Sequence, residues 1–164
     1  MKTVFVAGAT GYLGRHLCAE YQSRGFYVTA LVRDAERAKD LAADVLIAAE
    51  ATRPDTLKGV MSDVGLVVSA LGITRQADGL GYWDVDYQAN LNLLHEAERA
   101  GVARFAYVHV LNANLMGQVP LVAAKSAFVE ALQASPVASS IIAPSGYFSD
   151  MGDFLAMTRS GRGW

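Results

Sequence analysis

The sequence predicts an α/β protein with one domain built on a doubly wound parallel sheet. Short apolar runs, rich in Val, Ile, Leu and Ala, alternate with helix-like stretches along the 164 residues. The runs show little period-two alternation, which is typical of strands buried on both faces, as in a parallel sheet. Strands that alternate with helices are joined by right-handed crossovers. A chain of this length buries roughly 68–70% of its unfolded surface, so we expect one core and a single domain, residues 1–164.

Six runs predict the strands, in the order 4–7, 28–32, 45–49, 66–71, 105–111 and 140–143. Five stretches between them predict helices, at 11–24, 34–43, 54–61, 84–100 and 119–134. Gly25 and Gly101 follow two of these helices, in the position that glycine favours beyond a helix end. Asp34 is an N-cap type, and Pro54 begins its helix where the missing N–H costs nothing. Residues 75–81 predict the one loop of any length.

Composition and charge exclude several classes of protein. Apolar residues make up 52% and charged residues 18%, which argues against disorder. The formal net charge of −2 gives no reason to expect a nucleic acid or a membrane as partner. The single cysteine, Cys18, has no internal disulfide partner, and the chain shows no secretory signal or bilayer-spanning run. We therefore expect a cytoplasmic protein.

Three glycines stand between the first strand and the first helix. Residues 7–14 read AGATGYLG, which places Gly8, Gly11 and Gly14 at regular spacing. In a strand–turn–helix unit, one glycine permits the sharp turn, one lets backbone N–H groups approach a pyrophosphate, and one lets the helix lie close to the strand. The helix N-terminus adds partial positive charge. A glycine-rich turn without a ligand is the alternative, but the strand–turn–helix context favours a phosphate site.

Arg33 follows the second strand, 19 positions after Gly14. A dinucleotide site has its ribose-recognising residue near this position, and a guanidinium there suits a 2′-phosphate. Because a charge-assisted hydrogen bond contributes about 1.5–3 kcal/mol, Arg33 would favour NADP over NAD by roughly ten- to a hundredfold. Arg15 is a candidate helper at the helix start. A solvated surface arginine is the alternative, and the adjacent Asp34 complicates the choice.

Several segments together resemble a known superfamily. GATGYLG (8–14) with LVRD (31–34) resembles the atypical short-chain dehydrogenase/reductases, in their NmrA-like NAD(P)-binding branch. VVSALG (67–72) resembles the family's fourth-strand segment, and residues 84–108 its long helix leading into the fifth strand. IIAPSGYFSDM (141–151) resembles the sixth-strand segment that faces the nicotinamide. The resemblance covers nearly the whole chain and implies a Rossmann-type fold that binds NADP, with NAD as the alternative.

The resemblance also implies roles for individual residues. Backbone groups near the first glycine would hold the pyrophosphate, and later segments would pass the adenine, the ribose and the nicotinamide. The cofactor-binding residues implied are Gly8, Thr10, Gly11, Tyr12, Leu13, Gly14, Arg33, Glu50, Ala51, Ser69, Ala70, Leu71, Gly72, Lys125 and Pro144. Lys125 would hydrogen-bond the nicotinamide ribose, and Pro144 would border the carboxamide.

The catalytic residues of the resembled family are only partly matched. Its standard members use a serine after the fifth strand and a tyrosine four residues before the lysine. His109 and Leu121 occupy those positions here. Lys125 is therefore a candidate general acid, a ribose ligand or a surface lysine, and His109 is a candidate acid–base group or a hydrogen-bonded strand residue. Asn90 matches the family's helix asparagine or is a polar-face residue, and Tyr147 either reaches the nicotinamide or packs.

The remaining polar residues do not predict a further site. His16 and His95 have no ligand residues at suitable spacing, so we expect no metal, and Cys18 lies on an apolar helix face. The family's C-terminal substrate lobe is expected to be missing, which would expose an apolar flank and favour self-association. We expect an NADP-dependent reductase of a small organic substrate, or alternatively a non-catalytic NADP(H)-binding regulator or assembly factor. A nucleotide-sugar epimerase ranks last because it needs the missing tyrosine.

Overall fold

The computed structural model describes residues 2–73 and 79–161, the side chains of residues 153 and 154 excepted. Residues 75–78 of the predicted loop lie outside these ranges. Six parallel strands form one sheet in the order β3-β2-β1-β4-β5-β6, which confirms the doubly wound α/β fold. The strands are β1 Thr3–Ala7, β2 Tyr27–Val32, β3 Val45–Ala48, β4 Leu66–Ser69, β5 Arg104–Val108 and β6 Ala138–Ile142.

Helices connect the strands and cover the sheet. They are α1 Tyr12–Ser23, α2 Asn90–Ala100, α3 Pro120–Ala134 and α4 Phe148–Arg159. The strand order reverses between β1 and β4, so the segments that leave these two strands diverge to opposite sides. A crevice at the carboxyl ends of such strands is where doubly wound sheets bind their ligands.

The core lies on both faces of the sheet, which explains why the strands lack period-two alternation. Phe5, Phe105 and Tyr107 point to one face, where α2 and α3 pack. Val4 and Cys18 belong to the opposite cluster, beneath α1. The predicted core position of Cys18 is confirmed, and its burial raises the pKa of the thiol to about 11.

Two predicted helices are wrong, because each of these crossovers holds a single 3₁₀ turn. Residues 34–43 contain only Glu36–Ala38, and residues 54–61 only Pro54–Leu57. The first stops early because the Asp44 carboxylate accepts from the Val28 N–H at 2.7 Å, which draws the chain to β2. The second stops because the Gly59 N–H donates to Glu96 at 2.8 Å instead of continuing the turn.

The predicted helix 84–100 is present but is not uniform. Residues Trp83–Ala89 form a π-helical segment that leads directly into α2. The Asn90 side-chain amide donates to the main-chain oxygens of Val85 and Asp86, at 3.2 and 3.1 Å, and so competes for acceptors of the ordinary helix ladder. Such wide turns occur frequently at functional sites.

The residues after β6 form a helix that the sequence does not predict. This helix, α4, is exposed along its described length and carries the apolar side chains of Phe148, Met151 and Leu155. Among residues 2–73 and 79–161, no helix combines the length and apolar character needed to cross a bilayer.

Candidate functional site

The turn between β1 and α1 requires glycine at two positions. Gly8 has a φ of +76°, and a Cβ there would lie 2.8 Å from the main-chain carbonyl of Ala70. A Cβ on Gly14 would lie only 2.0 Å from the Gly8 oxygen, because the helix starts directly against the turn. The Gly11 N–H closes the turn by donating to the same oxygen at 3.0 Å. The three glycines therefore bring the first turn of α1 close to the ends of β1 and β4.

This turn leaves main-chain donors for an anion. Gly11 is the N-cap of α1 and makes no side-chain cap hydrogen bond, and the first turn contains no acidic residue. The Arg15 N–H is the first to bond back along the helix, to the Gly11 oxygen at 3.0 Å. The preceding amides, those of Tyr12, Leu13 and Gly14, therefore have no helical acceptor. Together with the helix dipole they form a site suited to a phosphate group.

Arg33 lies exposed just after β2. The neighbouring Asp34 carboxylate accepts from the N–H groups of Glu36 and Arg37, at 3.0 and 3.3 Å, so it caps the 3₁₀ turn. Asp34 is thereby engaged in local structure, and its negative charge remains next to Arg33 in the sequence. Arg33 is the basic side chain at the position where a ribose phosphate is expected.

Arg15, predicted as a helper of Arg33, has a partner of its own. Its guanidinium lies 2.7 Å from the Asp40 carboxylate and its Nε donates to the Thr10 oxygen at 3.3 Å. The hydrogen bond from Arg15 lowers the pKa of Asp40. The pair joins the start of α1 to the segment before β3.

The segment after β3 contains Glu50 and Ala51, and two polar residues hold it in place. The Thr56 hydroxyl accepts from the Glu50 N–H at 3.1 Å and lies 3.0 Å from the Glu50 oxygen. The Asn92 amide, buried on α2, donates to the Ala51 oxygen at 2.9 Å. Sequence reasoning missed both residues, although a polar residue on the otherwise apolar face of α2 was a visible signal for Asn92.

The end of β4 is held by a buried side-chain pair. Ser69 and Asn90 are fully buried, and the Ser69 hydroxyl donates to Asn90 Oδ1 at 2.5 Å. Asn90 is therefore not a residue of a polar helix face. The Leu71 N–H donates to the Ser69 hydroxyl at 3.3 Å, and the Ala70 N–H to the Ala7 oxygen at 3.0 Å. The Ser69 side chain is therefore used internally, where it fixes the start of the segment that leaves β4.

Lys125 points into the protein, so its interpretation as a surface lysine is wrong. Its ammonium lies 3.2 Å from Oδ1 of Asp86, and the two side chains are 13% and 0% exposed. It also donates to the Val108 oxygen at 3.3 Å and to the Tyr107 hydroxyl at 3.4 Å. Oδ2 of Asp86 accepts from the Ile73 N–H at 3.2 Å. Burial raises the pKa of Asp86, and the charge of Lys125 opposes that shift.

Tyr107 gives Lys125 a tyrosine neighbour, but one from β5 instead of α3. The Tyr107 ring is fully buried, and desolvation, reinforced by the charge of Asp86, raises the pKa of its hydroxyl. A catalytic tyrosine needs the opposite shift and contact with substrate. Tyr107 therefore does not replace the proton donor that is absent at Leu121.

His109 lies at the end of β5, where its main-chain N–H donates to the Ile142 oxygen at 2.7 Å. Its ring differs from the expected hydrogen-bonded strand residue, because Nδ1 is buried without a hydrogen-bond partner among the described residues. Burial and the nearby charge of Lys125 lower the pKa of His109, which favours the neutral imidazole. A buried ring nitrogen without a partner is available to a ligand.

The segment after β6 closes this end of the sheet. The Leu111 N–H donates to the Pro144 oxygen at 3.0 Å, so the chains leaving β5 and β6 are joined beside His109. The Tyr147 ring lies 6.0 Å from that of Tyr12, between ring centroids, in agreement with the packing role. Tyr12 also contacts His16 at 4.9 Å. In the described part of the chain, no three His, Cys, Asp or Glu residues are grouped to hold a metal.

Groups that bind anions and hydrogen-bonding ligands lie along the carboxyl edge of the sheet. The glycine turn offers main-chain donors at the centre, and Arg33 offers a cation on the β2 side. Lys125 and His109 offer polar groups on the β5 side. In residues 2–73 and 79–161, two buried side-chain atoms meet no hydrogen-bond criterion. They are Oδ1 of Asp86 and Nδ1 of His109, and both lie beside Lys125.

Comparisons with known proteins give one family model and several similar sequences. A family model described as NAD(P)H-binding matches residues 8–153. An uncharacterised chloroplastic protein of Arabidopsis thaliana is 37% identical over 72% of this chain and 45% of its own length. The Photosystem II assembly factor Ycf39 of Guillardia theta is 30% identical, over 91% of this chain and 48% of its own. The chloroplastic divinyl chlorophyllide a 8-vinyl-reductase of Zea mays is 29% identical, over 98% and 44%.

Solved structures share the fold. A Bacillus halodurans protein of the NAD-dependent epimerase/dehydratase type superposes with a TM-score of 0.80 at 24% identity, over 88% of this chain and 71% of that one. An NADPH-dependent quinone oxidoreductase of Escherichia coli gives 0.73 at 20% identity, over 96% and 51%. The chain spans about half the length of the curated relatives it matches. The predicted NAD(P)-binding relationship is confirmed, and the NmrA-like branch stays a prediction.

Proposed function

The chain belongs to the NAD(P)H-binding family, and on that premise we propose that it is an NADP(H)-dependent oxidoreductase acting on a small organic substrate. The observation that carries the proposal is the turn at Gly8, Gly11 and Gly14. Its geometry excludes side chains at two of these positions and leaves the first amides of α1 without helical acceptors. A pyrophosphate is an anion of the size and charge that such a helix start binds.

The residues on either side of the turn support the choice of cofactor. Arg33 offers a planar guanidinium, which matches a ribose 2′-phosphate in charge and geometry, so we propose NADP in preference to NAD. Lys125 and the main chain of Gly72 would hold the nicotinamide ribose, with Pro144 at the carboxamide. When bound, the nicotinamide supplies the hydride, and the protein contributes binding and orientation.

His109 is the side chain best placed to handle a proton at this end of the site. Lys125 directs its ammonium at three protein oxygens, and Tyr107 is buried beneath it. The unpartnered Nδ1 of His109 belongs to a ring held neutral by its lowered pKa. A neutral imidazole both accepts and donates hydrogen bonds, so His109 would orient a substrate oxygen and, in the oxidative direction of the reaction, accept its proton.

A second function is a non-catalytic NADP(H)-binding regulator or assembly factor. Two observations favour it: Leu121 replaces the family's tyrosine, and Tyr107 does not restore a proton donor. The relative named as a Photosystem II assembly factor fits this alternative, whereas the relatives named as reductases fit the first. For the reductase we propose a carbonyl, activated alkene or quinone as substrate; the cytoplasmic location stays a prediction.

Two measurements test the proposed function. In fluorescence titrations we expect NADPH to bind at least about tenfold more tightly than NADH. This factor is the lower end of the range that one charge-assisted hydrogen bond contributes to affinity. Tighter binding of NADH would contradict the role of Arg33, and binding of neither would contradict the function. The loss of NADPH absorbance is then followed with quinones, aldehydes and enones. Turnover that His109→Gln lowers supports the reductase, and NADPH binding without turnover on any of them favours the assembly-factor alternative.

A further inference from the structure

We propose that Asp86 is a positioning residue that sets the affinity for the nicotinamide half of the dinucleotide by holding Lys125. This inference rests on the proposed function, because it assumes that the nicotinamide lies at the β5 side of the site. Asp86 itself is fully buried and would not touch the cofactor.

The geometry joins Asp86 to the site by two routes. Oδ1 of Asp86 lies 3.2 Å from the Lys125 ammonium, and Oδ2 accepts from the Ile73 N–H at 3.2 Å. A Cβ added to Gly72 would lie 2.6 Å from Oδ1 and 3.3 Å from the ammonium. The chain that leaves β4 therefore packs directly against this ion pair. The π-helical segment places the carboxylate here, where it contacts both the β4 segment and α3.

Lys125 lies beside two polar side chains, those of Asp86 and His109. Oδ1 of Asp86 is paired with the ammonium at 3.2 Å, and Nδ1 of His109 has no hydrogen-bond partner among the described residues. The carboxylate thus holds the ammonium electrostatically, directly beside the chain that leaves β4 at the proposed nicotinamide side of the site.

A buried carboxylate is an effective way to hold a lysine. The lysine side chain is long and flexible, so a fixed anion at its end limits the positions of the ammonium. Replacing Asp86 with Asn keeps the size and an acceptor for the Ile73 N–H but removes the charge. The adenosine half is bound elsewhere, at Arg33 and the glycine turn, and is expected to be indifferent to this change.

The experiment compares two ligands by isothermal titration calorimetry. They are NADPH and 2′-phospho-ADP, which has the same adenosine and pyrophosphate groups but lacks both the nicotinamide and its ribose. Asp86→Asn is expected to lower the affinity for NADPH about tenfold, which is the effect of one charge-assisted hydrogen bond. The affinity for the fragment is expected to change by less than about twofold. The matched control is Glu96→Gln, which neutralises another buried carboxylate, one that binds the Gly59 N–H and Arg99. This variant is expected to leave the affinity for both ligands unchanged.

Two outcomes would overturn this inference and leave the proposed function standing. One is that Asp86→Asn lowers the affinity for both ligands equally, and the other is that it leaves the affinity for NADPH unchanged. If wild-type protein binds neither ligand, the proposed function fails as well. Should Asp86→Asn not fold, Lys125→Met and the Asp86→Asn/Lys125→Met double variant decide the matter, because removing both charges leaves no unpaired buried charge. If Asp86 acts through Lys125, the double variant binds NADPH as Lys125→Met does. A further loss in the double variant contradicts the proposal.

Discussion

The ammonium of Lys125 lies 3.2 Å from the carboxylate of Asp86, and both side chains lie inside the protein. Lys125 comes from α3, and Asp86 comes from the π-helical segment that precedes α2. The ion pair therefore joins two crossovers at the carboxyl edge of the sheet, next to the main chain that leaves β4. A lysine held in this way has a defined position before any ligand arrives.

Breaking this pair is expected to destabilise the fold. Lys125→Met leaves the Asp86 carboxylate buried without a counter-charge, which costs about 3–5 kcal/mol in the free energy of unfolding. Urea denaturation measures the loss, with Lys58→Met, at an exposed position, as control. Adding Asp86→Asn to Lys125→Met is expected to restore part of the stability. A loss as small as that of the control would mean that the pair contributes little.

The glycine turn gives a second prediction, for both stability and binding. Gly14→Ala places a Cβ 2.0 Å from the Gly8 oxygen, so α1 must shift away from the turn. We expect a loss of at least about 1–3 kcal/mol, as for other overpacked sites, and a loss of NADPH binding as the amides move. Gly117→Ala is the control, because its Cβ would meet no atom within 4 Å. If the Gly14→Ala variant binds NADPH as tightly as wild type does, the proposed role of the turn is contradicted.

Arg33 gives a prediction about cofactor choice. Arg33→Gln removes the cation but keeps a polar side chain of similar reach, so the affinity for NADPH is expected to fall roughly ten- to a hundredfold. NADH has no 2′-phosphate, so the affinity for NADH is expected to change by less than about twofold. Arg24→Gln, which alters an exposed arginine paired with Glu20 near the other end of α1, serves as control in the same fluorescence titrations. Equal losses for NADPH and NADH would show that Arg33 does not recognise the phosphate.

His109 gives a prediction about pH. Burial lowers the pKa of His109 below its ordinary value of 6.5. As the pH falls below that value, the unfolded chain takes up the proton before the folded protein does. The contribution of His109 to stability is therefore complete above the unfolded pKa and is lost as the pH falls through the folded pKa.

The measurement is urea denaturation of wild type and His109→Gln at about pH 7.5 and about pH 5.5. Wild type is expected to lose more stability over this range than His109→Gln, which has no ring to protonate. His95→Gln, at an exposed position on α2, is expected to behave as wild type does. Parallel losses in wild type and His109→Gln would show that the ring titrates normally.

The strands and the glycine turn were predictable because their signals are local. Doubly buried strands need continuous apolar runs, and Gly8 and Gly14 stand where a Cβ would collide with main chain. The lengths of the crossovers were not predictable in this way. Residues 34–43 have the pattern of a helix, but the hydrogen bond between Asp44 and Val28 ends the segment after one turn.

The partners within the site depend on contacts between distant parts of the chain. Asp86 stands four residues before Asn90, so the two residues share one face of the helical segment, and both are buried. A carboxylate on a buried face was therefore a visible signal of a functional residue. The sequence does not say that this carboxylate meets Lys125, 39 positions later, because that contact depends on how α3 packs against the π-helical segment. The same holds for Tyr107, whose burial decides that it is not a proton donor.

The most direct test of the central claim is a crystal structure of the protein soaked with saturating NADPH. The account predicts electron density for a pyrophosphate at the main-chain amides of residues 11–14, with the adenosine directed toward Arg33. A dinucleotide bound elsewhere, or no density at this turn, would contradict it.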